Sequence, residues 1–551
     1  MTSSPSPATT PARPVRGRHG AVASPHHLAT QAGLLVLRTG GSAVDAAIAT
    51  NAALAVVAGH SCGLGGDAFW VIWDEERGEA VALNGSGRAG SDATIEKAAA
   101  TGLAAMPERG PWSITVPGAV HSWGEAHSRF GRLDWTFLLA PAIDLASGFP
   151  ASHGWLDAIE RSATVFGADG DWASVYRPAD RARRPGQIVR LPALERTLRA
   201  IFAEGPEAAY SGSVGRSTAA YFGARGVPIS AGDLATHTSD WGTPLSVEYR
   251  GVSSLSHPPN SVGVVALQTL GMLSRFDAPD AAAWDGQGWS DPAWIHLGLE
   301  ASRLALAERD AHVTDGAYMA DGEVASMLSD GHLDGLAGRI DPRRAMPSSP
   351  GTLPRGGGTI YLATADQWGN AVTLLQSNYQ GFGSGLVDPA SGIAFQDRGA
   401  FFRLDPQHPN ALAPGKRPAH TLAPGMLMRD GRPWMVHGSM GGEIQPQVFA
   451  QFVSAVVDGR SDVATAVAAP RWAAMMQRQF GPPDLTELES RVHDGLPEVL
   501  AAMGHRVEMR EPWTSSLGHS HAIEIARDHD GALVSYAAGS DPRAEGSAAA
   551  W

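Results

Sequence analysis

The stretch Gly356-Gly357-Gly358-Thr359-Ile360-Tyr361-Leu362-Ala363-Thr364-Ala365, followed by Asp366-Gln367-Trp368-Gly369-Asn370 and Ala371-Val372-Thr373-Leu374-Leu375, decides how this chain is read. A glycine run leads into a threonine that opens a strand-like segment. The next five residues read as a turn and the last five as the return strand. Glycines ahead of Thr359 let the backbone bend sharply and bring the hydroxyl toward the carbonyl just upstream. Cleavage of the Gly358–Thr359 bond would make Thr359 a new N-terminus. That residue would then carry a hydroxyl nucleophile and an α-amine base together. The free amine has an ordinary pKa of about 7.7–8.0, so a modest downward shift would make it an effective base at neutral pH.

Outward from this point, the 551 residues are 43% hydrophobic and 18% charged, the balance of a globular enzyme with a large core. A net charge of −14 speaks against broad nucleic-acid binding. The single cysteine, Cys62, excludes an internal disulfide framework and any multi-cysteine metal site. Residues 1–20 are rich in Ser, Pro, Thr and Arg and lack an apolar core segment, so they read as a disordered tail rather than a secretory signal. The absence of a long apolar run predicts no membrane span, and the expected location is the cytoplasm.

His27 to Thr39 reads as a helix ending at Gly40-Gly41. Ser42 to Val57 reads as a buried helix, with Ser42 as N-cap and Asp45 completing a capping box. Phe69–Trp73 and Ala80–Asn84 read as a hairpin around Asp74–Gly78. Trp123 to about Arg309 is expected to be mostly helical, with turns at Phe149-Pro150 and His257–Pro259. Residues 341–358 read as an exposed linker. Helices are expected over Gln447–Val457 and Asp484–Met503, and closing strands near Ala522–Ile525 and Leu533–Tyr536.

A series of short motifs then falls into one order. They are Gly40-Gly41-Ser42-Ala43-Val44-Asp45-Ala46-Ala47, Gly63-Leu64-Gly65-Gly66-Asp67, Val116-Pro117-Gly118, Leu139–Ile143, Gly358-Thr359 and Asp366 through Val372. Phe382–Gly385, Lys416-Arg417-Pro418, Gly441-Gly442 and Asp541-Pro542-Arg543 complete it. In this order the chain resembles the γ-glutamyltranspeptidases of the N-terminal nucleophile hydrolase superfamily, from about Ala21 to the end. The resemblance implies an α+β fold, a four-layer αββα sandwich. It also implies self-cleavage into a large subunit over 21–358, behind the tail over 1–20, and a small subunit over 359–551 of the same domain. Thr359 matches the nucleophile. Ser377 matches a second threonine that hydrogen-bonds it, and Gly441 and Gly442 match the oxyanion glycines, whose bare N–H groups can approach a developing oxyanion.

The substrate clamp departs from the γ-glutamyl pattern. Ser86 stands where an arginine is expected, with Arg88 two residues on, and Phe401 replaces an aspartate. His420 and Thr421 align with paired serines, and Asn378 with a pocket asparagine. Arg88 and Arg398 are the candidate carboxylate ligands, because an arginine fork suits a carboxylate. The retained machinery and altered clamp point to the acylase-like, hydrolytic branch: an amidohydrolase acting on a small acyl-amide or γ-glutamyl substrate, hydrolysis favoured over transfer. Alternatives are a true γ-glutamyl hydrolase or transferase, a C–C hydrolase of a biosynthetic pathway, and an unprocessed scaffold. No cofactor or metal is expected, and no nucleic-acid or membrane partner; a homo-oligomer is compatible with the reading. Gly59-His60-Ser61-Cys62-Gly63 matches the serine-hydrolase elbow, but a strand-like segment rather than a helix follows it. His519 and His521 alternate on one strand-like segment without a nearby carboxylate or cysteine to complete a metal site.

Overall fold

The computed structural model describes residues 13–167, 169–285, 288–347, 358–475 and 485–551. Fourteen strands form two seven-stranded sheets. In chain order they are β1 (Val15–Gly17), β2 (Ala21–Ser24), β3 (Asp67–Asp74), β4 (Glu79–Gly85), β5 (Asp240–Gly242), β6 (Leu245–Tyr249) and β7 (Val252–Ser256). The remainder are β8 (Gly358–Ala365), β9 (Ala371–Tyr379), β10 (Gly425–Arg429), β11 (Arg432–Met440), β12 (His519–Arg527), β13 (Leu533–Ser540) and β14 (Ser547–Ala550). One sheet runs β14-β2-β8-β9-β3-β4-β5 and the other β1-β13-β12-β11-β10-β7-β6.

The strand period of two explains the layering. Along β8, Ile360 and Leu362 enter a core shared with the helices α1 (His27–Arg38) and α2 (Ala43–Val57). Tyr361, Ala363 and Ala365 point the other way, into the space between the sheets, where they meet Val436, Ile523 and Tyr536. Beyond the second sheet, the helices Gly263–Leu273, Pro292–His312 and Gln445–Val457 bury a third core against Leu427, Met435 and Ala522. The result is helix, sheet, sheet, helix, as the αββα reading requires.

α2 is buried along its whole length, so its caps must be satisfied from inside the protein. Ser42 and Asp45 form the expected capping box, and Asp45 Oδ2 also accepts the Arg132 and Leu133 N–H groups. The turn after β8 reaches the same helix end, where Asp366 Oδ2 accepts the Ala43 N–H at 2.8 Å.

Two sequence expectations change and one is completed. The 123–309 stretch is mostly helical, as expected, and β5, β6 and β7 lie within it as well. All three are short, with β5 and β6 at sheet edges, and β6 alternates between half-buried and exposed residues up to its buried end, Tyr249, which weakens the period-two signal. The 484–503 segment divides into a strand, Leu485–Glu489, and a helix, Leu496–Ala502. The strand is held between Trp472–Met475 and Val507–Arg510, a pairing that local sequence does not announce. Val15–Gly17, assigned to the tail, is ordered as β1 against β13. Of the expected linker, 348–357 lies outside the described residues. Residues 345 and 346 are tied down, by Ala345 N–H to Met503 O and Met346 N–H to Glu300 Oε2.

Candidate active site

Gly358 and Thr359 lie in one strand, so the structure is that of the uncut chain. The β8–β9 register shifts between Gly358 and Thr359, placing an irregularity at the peptide bond expected to break. Thr359 then pairs with Ser377, and Ser377 in turn with Asp67 on β3. The hydroxyls of Thr359 and Ser377 are 2.8 Å apart, and Ser377 Oγ also lies 2.8 Å from the Gly358 carbonyl oxygen. Two fixed donors reach Ser377 Oγ, the Tyr379 N–H at 2.8 Å and Arg398 Nη2 at 3.3 Å. These fill its lone pairs, so its own hydrogen is directed at Gly358 O or Thr359 Oγ1. A hydrogen bond to the Gly358 carbonyl polarises the bond that Thr359 would attack.

Tyr379 ends β9 in the left-handed region (φ 72°), uncommon for a residue with a side chain. The turn puts its ring 4.3 Å from the Arg398 guanidinium. Arg398 is 1% exposed and also donates to Thr421 Oγ1 at 3.1 Å. Among the described residues no carboxylate lies within ion-pair distance of it. Burial pulls its pKa down to about 10, against the opposing fields of Tyr379, Asp67, Asp397 and Glu443. Burial pushes Asp67 and Asp397 each up to about 7. Asp397 Oδ1 accepts the Gln380 N–H, while its Oδ2 has no partner among the described residues, an arrangement suited to a protonated carboxyl.

His420 is fully buried, and burial holds its pKa well below the usual histidine value. Its Nδ1 accepts the Thr421 N–H at 3.1 Å, which assigns the hydrogen to Nε2, 3.3 Å from Asp67 Oδ2. Thr359, Ser377, Arg398, Thr421 and His420 therefore belong to one connected cluster. Gly441 and Gly442 follow β11, which packs on β8: the ring of Tyr361 fills the space where a Gly438 side chain would sit. Both glycines have positive φ, 144° and 59°. Glu443, the next residue, is close enough for its charge to act on Arg398 and is itself paired with Arg309.

Two candidates are placed elsewhere. Arg88 donates to Thr238 O and to Asp240, at 3.0 and 2.9 Å, and lines a separate cavity of about 260 Å³. Arg417 binds the same Asp240 carboxylate, so Arg88 is part of a satisfied ion cluster. Asn378 points to the opposite face of β9 from Ser377, beside Gly63 and Gly66. Tyr379, Asp67, Asp397 and Glu443 were not singled out as site residues by sequence reasoning. Asp67 stood within a recognised motif, whereas nothing local marks the other three.

Ser61 follows α2, a helix, where a nucleophile elbow needs a strand before it. For metals, His296, Glu300 and His505 lie together and buried. Their atoms are already used: His296 Nε2 faces the Asp341 carbonyl, so its Nδ1 accepts from His505 Nε2 at 2.7 Å. Glu300 binds Arg303 and the Met346 N–H. Asp528, His529 and Asp530 form an exposed cluster in the turn between β12 and β13. No described helix is long and apolar enough to cross a membrane.

Comparison with known proteins agrees with this geometry. The profile of the family described as gamma-glutamyltranspeptidase matches residues 29–551. The chain is 38% identical to the oxamate amidohydrolase proenzyme of Klebsiella pneumoniae, covering 97% of this chain and 98% of the relative. It is 35% identical to the glutathione hydrolase-like YwrD proenzyme of Bacillus subtilis, covering 97% and 99%. The crystal structure of a cephalosporin acylase from Bacillus halodurans superposes with a TM-score of 0.89 at 35% identity, covering 100% of this chain and 99% of the other. With an αββα sandwich and relatives named as proenzymes, the chain belongs to the γ-glutamyltranspeptidase family and is an autoprocessing enzyme acting on amide bonds.

Proposed function

We propose that the Gly358–Thr359 bond is cut by Thr359 itself, leaving a large subunit that ends at Gly358 and a small one, 359–551, and that Thr359 then hydrolyses a small amide whose acyl part carries a carboxylate. Arg398 carries the substrate half of this reading. It is a buried guanidinium, one hydroxyl removed from the nucleophile, with no carboxylate in contact among the described residues. A buried, unpaired charge is costly unless a ligand completes it. A substrate carboxylate near the scissile carbonyl would do so.

The relative named for oxamate makes oxamate, an amide directly bonded to a carboxylate, the first compound to test. Thr359 Oγ attacks the amide carbon while the α-amine takes the hydroxyl proton and passes it to the leaving nitrogen. Ammonia departs from a Thr359 oxalyl ester, and water cleaves the ester to release oxalate. Gly441 and Gly442 N–H groups would stabilise the oxyanion in both halves. Ser377 would hold the nucleophile, and Thr421 and His420 would form the wall beside Arg398. Neutral small molecules would lack the partner for Arg398, and transfer to an amine would compete poorly with water.

Ammonia release from oxamate and from a γ-glutamyl anilide, compared with a neutral acyl amide, tests the reading. Turnover confined to carboxylate-bearing amides is expected. Equal turnover of the neutral amide would remove Arg398 from substrate recognition. Preference for the γ-glutamyl anilide would reassign the acyl group to glutamyl.

A further inference from the structure

The glycine turn that follows β11 is held from behind by groups outside the site just described. A trans peptide points its C=O and N–H in opposite directions, so fixing a carbonyl aims the N–H across from it. Two carbonyls set the Gly441 and Gly442 N–H groups. The Met440 carbonyl accepts Ser439 Oγ at 2.7 Å, and the Gly441 carbonyl accepts the Ile444 N–H at 3.3 Å. Ser439 is 3% exposed, and with Met440 O at the shorter distance its one hydrogen faces that carbonyl, the His519 carbonyl of β12 lying 3.0 Å from the same oxygen.

Behind this peptide sits Gly518, at φ 82°. Its Cα lies 3.4 Å from where a Gly441 side chain would begin, and any side chain on Gly518 would run into Met440 O and Ser439 Oγ. Gly518 is held in turn by Arg471, whose guanidinium binds the Gly518 and Leu517 carbonyls, Ser520 Oγ at 3.0 Å and Asp541. Asp541 also accepts the Ser520 N–H at 2.8 Å. The chain of contacts runs from Asp541 through Arg471 and Gly518 to the Met440–Gly441 peptide.

We propose that Ser439 is a positioning residue that aims the Gly441 N–H at the reacting carbonyl, with Arg471 as the buttress that keeps Gly518 against the turn. This rests on the reading of Gly441 and Gly442 as the oxyanion site. Loosening the peptide weakens stabilisation of the oxyanion and leaves ground-state binding largely intact, so kcat falls while KM holds. Self-cleavage is affected less, because the Gly358 carbonyl faces Ser377.

The test uses full-length wild type, S439A, S439T and R471K. Each is assayed on oxamate or a γ-glutamyl anilide, whichever the wild type turns over faster, and on the matching thioamide, whose sulfur is a poor acceptor for N–H donors. Removal of a whole oxyanion donor costs about 10²–10³ in kcat. For S439A a fall of about 10- to 100-fold is expected, with KM within about threefold, a smaller amide-to-thioamide ratio, and a mature two-chain mass. S439T restores part of the loss. R471K carries the same expectation at smaller amplitude and serves if S439A does not mature. Unchanged kcat, or a lower kcat with the wild-type ratio, in both S439A and R471K overturns the positioning role. A wild type that does not distinguish amide from thioamide overturns the oxyanion reading itself, and the positioning role with it.

Discussion

Arg398 and Arg543 are both buried arginines in the C-terminal part of the chain, and they are handled in opposite ways. Arg543 lies between Glu489 and Asp541 with its side chain fully enclosed, and those carboxylates raise its pKa above the ordinary arginine value. Asp541, between Arg471 and Arg543, is held well below the usual carboxylate range. Arg398 has hydroxyls and aromatic faces around it, and burial lowers its pKa. One guanidinium is internally neutralised and serves the fold. The other has no carboxylate in contact among the described residues, as the proposed substrate reading requires. Burial alone does not identify a binding residue; the identity of its partners does.

The largest effect expected concerns neither arginine but Thr359, the proposed nucleophile. Thr359→Ala should leave a single 57.5 kDa chain and lower activity by at least about 10³-fold; intact mass and ammonia release check both. Arg543→Met tests the neutralised side of the comparison. It removes one of the two arginines held by each of two buried carboxylates, Asp541 and Glu489, and should cost about 3–5 kcal/mol of stability, read by denaturant unfolding, while correctly folded enzyme keeps its KM. Arg398→Met tests the open side. It should lower kcat/KM on a carboxylate-bearing amide by about 10²-fold, roughly 3 kcal/mol, with a melting temperature equal to or above wild type. A large loss of stability in Arg398→Met, or none in Arg543→Met, would reverse the assignment.

The smallest effect is a pH dependence centred on Asp397. Its folded pKa of about 7 stands above the ordinary 3.8, so the folded state binds the extra proton between those values. That contribution is fully present below about pH 4 and is lost as pH rises through about 7, at no more than about 1.4 kcal/mol per pH unit. Asp397→Asn should flatten the stability profile in that window, as measured by unfolding at pH 5 and pH 7.5. An unchanged slope would mean that Asp397 is already ionised beside Arg398.

Much of the framework could be read locally. The triple glycine before Thr359, the two strands around Asp366–Asn370 and the Ser42–Asp45 capping box are interactions within a few residues, so propensity and spacing suffice to find them. The β5–β7 strands could not be found this way. They are short; β6 and β7 pair with each other across Arg250-Gly251, but the strands that join them and β5 to the sheets lie far along the chain: β4 for β5, and β10 for β7.

Site residues divide along the same line. Thr359 and Ser377 face each other across one hairpin, so their separation in sequence already carries their meeting in space. Arg88 and Arg398 look equivalent as residues. Their roles were separated only when Asp240 and Arg417 closed around one, and Tyr379, Thr421 and Ser377 around the other. Sequence by itself determined the pairing of Thr359 with Ser377 and the layered fold, because short-range hydrogen bonds and strand periodicity are properties of neighbouring residues. Only the tertiary structure decided which buried arginine is paired with carboxylates inside the protein and which is not, because the energy of a buried charge depends on groups brought to within a few ångströms from distant parts of the chain.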